Sequence, residues 1–504
     1  PADGILLEIV ADAGVTVNGT LALTGANTIN VVYSDKSISF SNVVSGSGSV
    51  NKTGTGWLWF DNTGNTYSGG TTVSAGTFAI NAGTAAGAKT SFGTGAVTVN
   101  SGGVVRVYAG STGNAMSHAN NFTLNGGTLR AEDAVVTYGG TVTLAAASTV
   151  DVVHADKNAI FANPMAGAGV LSKAGNGTLI LAANNGNTGA ITISSGPLQV
   201  GNGGTTGTLG SYAGTITNNG TLIFNRSDSV SLNNVVTGSG VVANYGSGTL
   251  TINGTQTYTG DTVVRRGTVN LSSGTLNGTS RIVVGATGGT GTPVFNLSGG
   301  SITAGTGGTG NAIYLGATTS FPGIMNVSAG TFSTSSTSAL ITVGDNAVGT
   351  YTQTGGSVSA GSSSGGLWLA NNAGGSGSVF TVSGGSFYAP GILVVGVRGS
   401  YAFTVSGTGA VNMGTLQLGH TSGTTNNPTG RIINLNGGTL QLTNGFNYQS
   451  GTAVVNLNGG TLKAASSTGS FWNNNANVTA TVGASGGTMD SQAYDVTISH
   501  VPAG

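Results

Sequence analysis

The sequence predicts an all-β protein, a right-handed parallel β-helix (β-solenoid) of roughly twenty short coils. Three observations predict it: very few charges, an abundance of Gly among strand-forming Thr and Val, and a turn that recurs at coil-length intervals. Of 504 residues, 14 are Lys or Arg and 14 are Asp or Glu, a charged share of 6% where an ordinary globular domain has about 25%. Gly accounts for 92 residues and Pro for 8, which excludes collagen, where Gly fills every third position beside abundant Pro. Apolar residues recur along the whole length, which excludes a solvated disordered chain.

The long unit comes first along the chain. Val50–Ile80, Leu171–Val200 and Val241–Leu271 share one skeleton: G-x-G, a short apolar strand, Asn or Gln with Thr, a Gly, T-x-V/I, then G-x-L/V/F. After about residue 285 the unit shortens to an apolar pair followed by a small-residue turn, as in Val294–Ile302, Ile324–Phe332, Tyr351–Val358, Val379–Phe387, Ile433–Leu440 and Val455–Leu462. The turn positions Gly299, Ala329, Gly355, Gly384, Gly407, Gly437 and Gly459 are separated by 30, 26, 29, 23, 30 and 22 residues, the length of one solenoid coil. Each strand alternates: Phe295 and Leu297 against Asn296 and Ser298, Val455 and Leu457 against Asn456 and Asn458. Such a strand has one apolar face and must stack on its copies to bury it. Coils about 4.8 Å apart would make a rod on the order of 100 Å long, and parallel crossovers wind right-handed. Four segments are expected: 1–49, N-terminal coils with a candidate cap at Gly4–Val10; 50–285, the long-repeat solenoid; 286–465, the shorter-repeat solenoid; and 466–504, C-terminal coils forming an assembly interface.

The three long copies resemble the autotransporter-associated β-strand repeat, also called the passenger-associated transport repeat, of large bacterial surface proteins. Copy one carries the resemblance through Lys52, Gly54, Gly56, Asn65-Thr66-Tyr67, Gly69 and Gly76-Thr77. Copy two does so through Lys173, Gly175, Gly177-Thr178-Leu179, Asn187-Thr188, Gly189 and Gly196, without the Tyr. Copy three keeps Gly246, Gly248-Thr249-Leu250, Thr257-Tyr258, Gly260 and Gly267-Thr268, with Asn244 in place of the Lys. The resemblance covers under a fifth of the chain. It implies a secreted β-helix on a bacterial surface, adhesive or structural, without an enzyme site.

Chemistry is sparse. Zero cysteines remove thiol catalysis and Cys-based metal sites. Zero net charge leaves no footprint for nucleic acid, and Arg265–Arg266, the one basic doublet, reads as a solvated strand face. No apolar run is long enough for membrane insertion. Glycoside hydrolysis ordinarily needs two carboxylates on one sugar, and from Arg281 to Thr488 the only acid is Asp345. In the first half, Glu132–Asp133 and Asp151–Asp156 read as solvated loops, although one coil of separation would bring Asp133 near Asp151. His118, His154, His420 and His500 show no ligand spacing and read as isolated surface or turn residues. The G-x-G strings precede no helix, so no phosphate or cofactor site is expected. No catalytic, cofactor or metal residue is assigned.

The aromatic cluster Trp57, Trp59, Phe60 and Tyr67 is the candidate for stacking. Trp57 and Trp59 share a strand face; packing inward is the favoured reading, and exposed they would stack on glycans or another subunit. Tyr494 and Val496 lie in the last strand pattern, a candidate edge for head-to-tail self-association into a filament. The function expected is a rigid extracellular rod, with an adhesin that binds surface glycans as the alternative and a polysaccharide-degrading enzyme as a remote one.

Overall fold

The computed structural model describes residues 5–10, 13–81, 86–108, 115–133, 135–305, 310–336, 339–361, 366–395, 398–419 and 430–500. Among them no α-helix occurs, and short parallel strands stack as a β-solenoid of about 19 turns. No helix in the described residues is long and apolar enough to cross a membrane. The chain forms two compact units, residues 1–226 and 227–504.

In the first unit a coil contributes strands to three parallel sheets, as Val97–Asn100, Gly103–Tyr108 and Ala115–His118 do. Alternation then sorts the side chains. Val105 and Val107 face inward and are fully buried, while Val104, Arg106 and Tyr108 face outward. Stacking in register puts like above like, so the interior carries one chain of aromatic rings. Phe40, Phe60, Phe78, Phe92, Phe122, Tyr138 and Phe161 follow one another edge to face at 4.9–5.7 Å. Each fully buried ring of this kind contributes about 1.5–3 kcal/mol by area alone.

In the second unit the coil spacing read from the turns reappears as strand register. Asn296 pairs with Asn326, then Thr352, Thr381, Thr404, Asn434 and Asn456. Those numbers differ by 30, 26, 29, 23, 30 and 22 residues, the turn intervals themselves. The column is outward-facing and polar, and its amides bond rung to rung: Asn296 Nδ2 donates to Asn270 Oδ1 at 2.8 Å, Asn326 to Asn296 at 2.9 Å, and Asn456 to Asn434 at 2.8 Å. Beneath it Phe295, Met325, Tyr351, Phe380 and Phe403 are fully buried.

Two of the repeat's glycines have separate reasons. Gly76, Gly196 and Gly267 hold φ of 66°, 63° and 58°, the left-handed turn that side chains disfavour. Gly69, Gly189 and Gly260 lie against Gly48, Gly169 and Gly240 of the preceding coil, so closely that a Cβ on Gly189 would stand 1.9 Å from the Gly169 carbonyl oxygen.

Two expectations need correction. Arg265 and Arg266 lie in a turn, not a strand, and Arg265 places its guanidinium 4.6 Å from the Tyr245 ring centre. His118 and His500 are not surface residues: they are 0% and 6% exposed, because each continues an inward column, His118 beside Phe92 and His500 on Trp472. The segment at 5–10 holds a strand, Leu6–Ile9, paired in parallel with Thr28–Val31. Gly4 and His420 lie outside the described residues.

Candidate functional site

The polar residues of the repeat turn inward and brace the coil. Lys52 occupies an inner column between Ile29 and Val73 and is fully buried. Its Nζ donates to the carbonyls of Thr53, Gly54 and Ala75 at 2.6, 2.8 and 3.2 Å. Lys173 repeats this with Ala174, Gly175 and Ser195 at 2.7, 2.9 and 3.2 Å. Desolvation pushes both ammonium groups down to about 8. In the third copy Asn244 Nδ2 donates to Gly248, Arg266 and Thr268. One carbonyl, that of the residue before the turn glycine, is held in all three.

A second brace corrects the sequence alignment. Asn65 Oδ1 accepts from the Val44 N–H at 2.8 Å, Asn185 Oδ1 from Met165 at 2.7 Å, and Gln256 Oε1 from Val236 at 2.8 Å. Asn185, four residues before Gly189, is therefore the counterpart of Asn65, and Asn187 stands where Tyr67 and Tyr258 stand. Those two tyrosines are buried, each sharing a 2.6 Å hydrogen bond with a threonine four residues on, Thr71 and Thr262. Tyr67 is thus a core residue and no surface for stacking.

Trp57 and Trp59 are where the favoured reading fails. Both stand on the outer face of Trp57–Phe60, half-buried, while Leu58 and Phe60 fill the core. The register explains it. Trp57 lies between Ser37 and Thr77, Trp59 between Ser39 and Ala79, all outward positions, whereas Leu58 lies between Ile38 and Phe78. The two indoles stack on each other at 5.8 Å with 10° between their planes. The next coils bring Arg106, whose guanidinium sits 5.3 and 5.4 Å from the Trp57 and Trp59 ring centres and 5.0 Å from that of Tyr108. Contacts of this kind hold a cation over an electron-rich face.

Beyond Arg106 the same face carries alternating charge. Arg106 Nε bonds Glu132 Oε2 at 2.7 Å, Arg130 reaches Glu132 at 3.2 Å and Asp151 at 3.6 Å, and His154 Nε2 pairs with Asp133 at 3.0 Å. The expectation of solvated loops is corrected: Glu132 and Asp151 sit on paired strands, and Asp133 and Asp151 each meet a basic group rather than each other. The hydrogen bond from Arg106, aided by the charges of Arg106 and Arg130, holds the Glu132 carboxyl below its ordinary range. Glu132 is therefore an anion at neutral pH and no proton donor for glycoside cleavage. Glu132, Asp133 and His154 bring three ligand-type atoms within 4.8 Å of one another, with His154 where the sequence offered Asp151 as the neighbour of Asp133. Two guanidiniums on Glu132 and the imidazole on Asp133 already engage them, an environment that repels a cation. The face presents aromatic and guanidinium surfaces. Tyr494, exposed, and Val496, half-buried, lie far along the chain in the other unit and take no part in it.

Fold and braces together define a parallel β-solenoid built on a short internal repeat. Residues 50–80, 171–200 and 245–271 match the passenger-associated-transport-repeat family, so the chain carries three copies of that repeat. It is also 44% identical over 70 residues to the adhesin BmaC autotransporter of Brucella suis biovar 1 (strain 1330), a stretch that is 14% of this chain and 2% of that protein. No solved structure matches the chain.

Proposed function

We propose that the chain is a segment of a passenger displayed on a bacterial cell surface, and that it attaches to glycans through the Trp57–Trp59–Arg106–Tyr108 face. The single observation that carries this reading is the placement of two indoles outward, stacked and capped by a guanidinium. Aromatic faces stack on the apolar faces of sugars, and the neighbouring Arg130, Glu132 and Asp151 supply hydrogen-bonding groups. The transport repeat and the autotransporter adhesin similar over 70 residues support a surface role without catalysis. The test is binding of the purified chain to a printed glycan array. Trp57→Ala with Trp59→Ala is expected to lower the signal at least about tenfold with an unchanged circular dichroism spectrum. An unchanged array signal would sink the reading.

Head-to-tail assembly into a filament is the second reading. Ile5 and Leu6 are 62% and 65% exposed, and Met489, Tyr494 and Ile498 about 40%, apolar surface that a further coil or a second copy covers. Electron micrographs at high protein concentration decide it: continuous fibres favour it, and dispersed particles oppose it.

A further inference from the structure

We infer a second ligand site, in the unit of residues 227–504: the turn at Arg265 and Arg266 binds one tetrahedral oxyanion, a sulfate or phosphate ester. The backbone of this turn belongs to the repeat. The Arg265 and Arg266 N–H groups donate to the Asn244 carbonyl at 2.9 and 3.4 Å, as those of Ser74 and Ala75 do to the Lys52 carbonyl at 2.8 and 3.4 Å. Asn244 Nδ2 in turn holds the Arg266 carbonyl at 3.1 Å. The side chains are another matter. Ser74-Ala75 and Ser194-Ser195 fill the same two places in the other copies, ahead of the same left-handed glycine, Gly76 or Gly196. Small neutral residues close the turn there, so the coil does not require two arginines.

Both guanidiniums are directed to one place. Arg265 holds its guanidinium 4.6 Å from the ring centre of Tyr245, one coil earlier, and its Nη2 rests against the Gly288 backbone. Arg266 Nη2 donates to the Gly288 carbonyl at 3.4 Å. Neither arginine pairs with a carboxylate among the described residues. Asp261, the acid nearest in sequence, stands at the other end of Thr262–Val264 and is held by Arg281 at 3.0 and 2.6 Å. The Nε atoms of both arginines are shielded from solvent and have no acceptor, so each charge is partly withdrawn from water. Two like charges in that condition repel one another, and an anion shared between them offsets the cost. The guanidinium fork matches an oxyanion. Two forks offer more donors than the two oxygens of one carboxylate take up, and the three terminal oxygens of an ester suit them better.

The site is independent of the Trp57–Trp59 face, and the experiment separates the two. The full chain is titrated calorimetrically at low ionic strength with glucose sulfate, glucose phosphate, glucuronate and glucose. Saturable binding of an ester, at least about tenfold tighter than glucose and tighter than glucuronate, is the expected result, and the ester that binds more tightly names the oxyanion. Arg265→Gln with Arg266→Gln is expected to weaken it at least about tenfold. Arg281→Gln, at an arginine already paired, and Trp57→Ala with Trp59→Ala are expected to change it less than about twofold. If circular dichroism shows the Gln pair misfolded, Arg265→Lys with Arg266→Lys replaces it, keeping the charges and losing the forks, with an expected loss of about threefold. Absence of saturation with both esters, a preference for glucuronate or glucose, an equal loss in Arg281→Gln, or unchanged affinity in the folded double variant overturns the inference.

Discussion

Lys173 copies the placement of Lys52: each ammonium lies inside its coil and donates to the carbonyls of the next two residues and to the carbonyl just before the turn glycine of the following coil. The lysine of the repeat is therefore an internal tie between coils. Removing it leaves three carbonyls short of a donor. Lys52→Met is expected to cost about 1–3 kcal/mol, and Lys52→Asn less, since Asn244 does related work in the third copy. Hydrogen exchange across residues 50–80 reports it, because opening in a repeat protein is local before it is global.

Alkaline pH separates two opposing groups. Lys52 and Lys173 have folded values of about 8 against 10.5 unfolded, so between those values the unfolded chain holds more protons and stability rises with pH. Burial raises Tyr67 and Tyr138 well above their ordinary 10, so their contribution is full below pH 10 and falls as pH rises beyond it. Urea midpoints of the first unit are expected to climb from pH 8 to about 10 and then drop. Lys52→Met with Lys173→Met flattens the climb and leaves the drop.

Acid acts through His118. Burial lowers its value to about 4, against the opposing pull of a hydrogen bond with the Lys89 backbone. Lys89, Phe92 and Tyr138 surround it. Its contribution is full above pH 6.5 and is lost as pH falls toward 4, since the unfolded imidazole charges first. His118→Phe is expected to remove that part of the pH slope in thermal melts between pH 7 and 4.

Coil spacing can be tested at one atom. Gly189→Ala drives a methyl toward the Gly169 carbonyl and is expected to cost about 1–3 kcal/mol. Gly186→Ala, three residues away with open space around its Cβ position, should stay within about 0.5 kcal/mol. Equal effects of the two in chemical denaturation would contradict the close packing of coils.

The coil period was legible because turn residues and strand register share one arithmetic; Asn296 to Asn326 spans the same 30 residues as Gly299 to Ala329. The facing of Trp57 and Trp59 was not, because all four residues of Trp57–Phe60 are apolar and alternation then names no side. A signal did exist: after the G-x-G, Trp57 aligns with Thr178 and Thr249, both outward. Lys52 reads as surface by composition, and only the three converging carbonyls make its burial favourable. The charged face assembles from Arg106, from Arg130 with Glu132, and from Asp151, which lie on three successive coils, so no local motif contains it whole.

The register columns also set how the fold bears load. Hydrogen bonds between coils run along the stacking direction, within each unit, and every boundary carries its own short set of them. Tension along that direction is met by one boundary at a time, so extension proceeds as a series of small ruptures, each releasing some 22 to 30 residues of slack in the second unit. A fold built this way yields by lengthening under a pull, and its rungs can close again when the force drops.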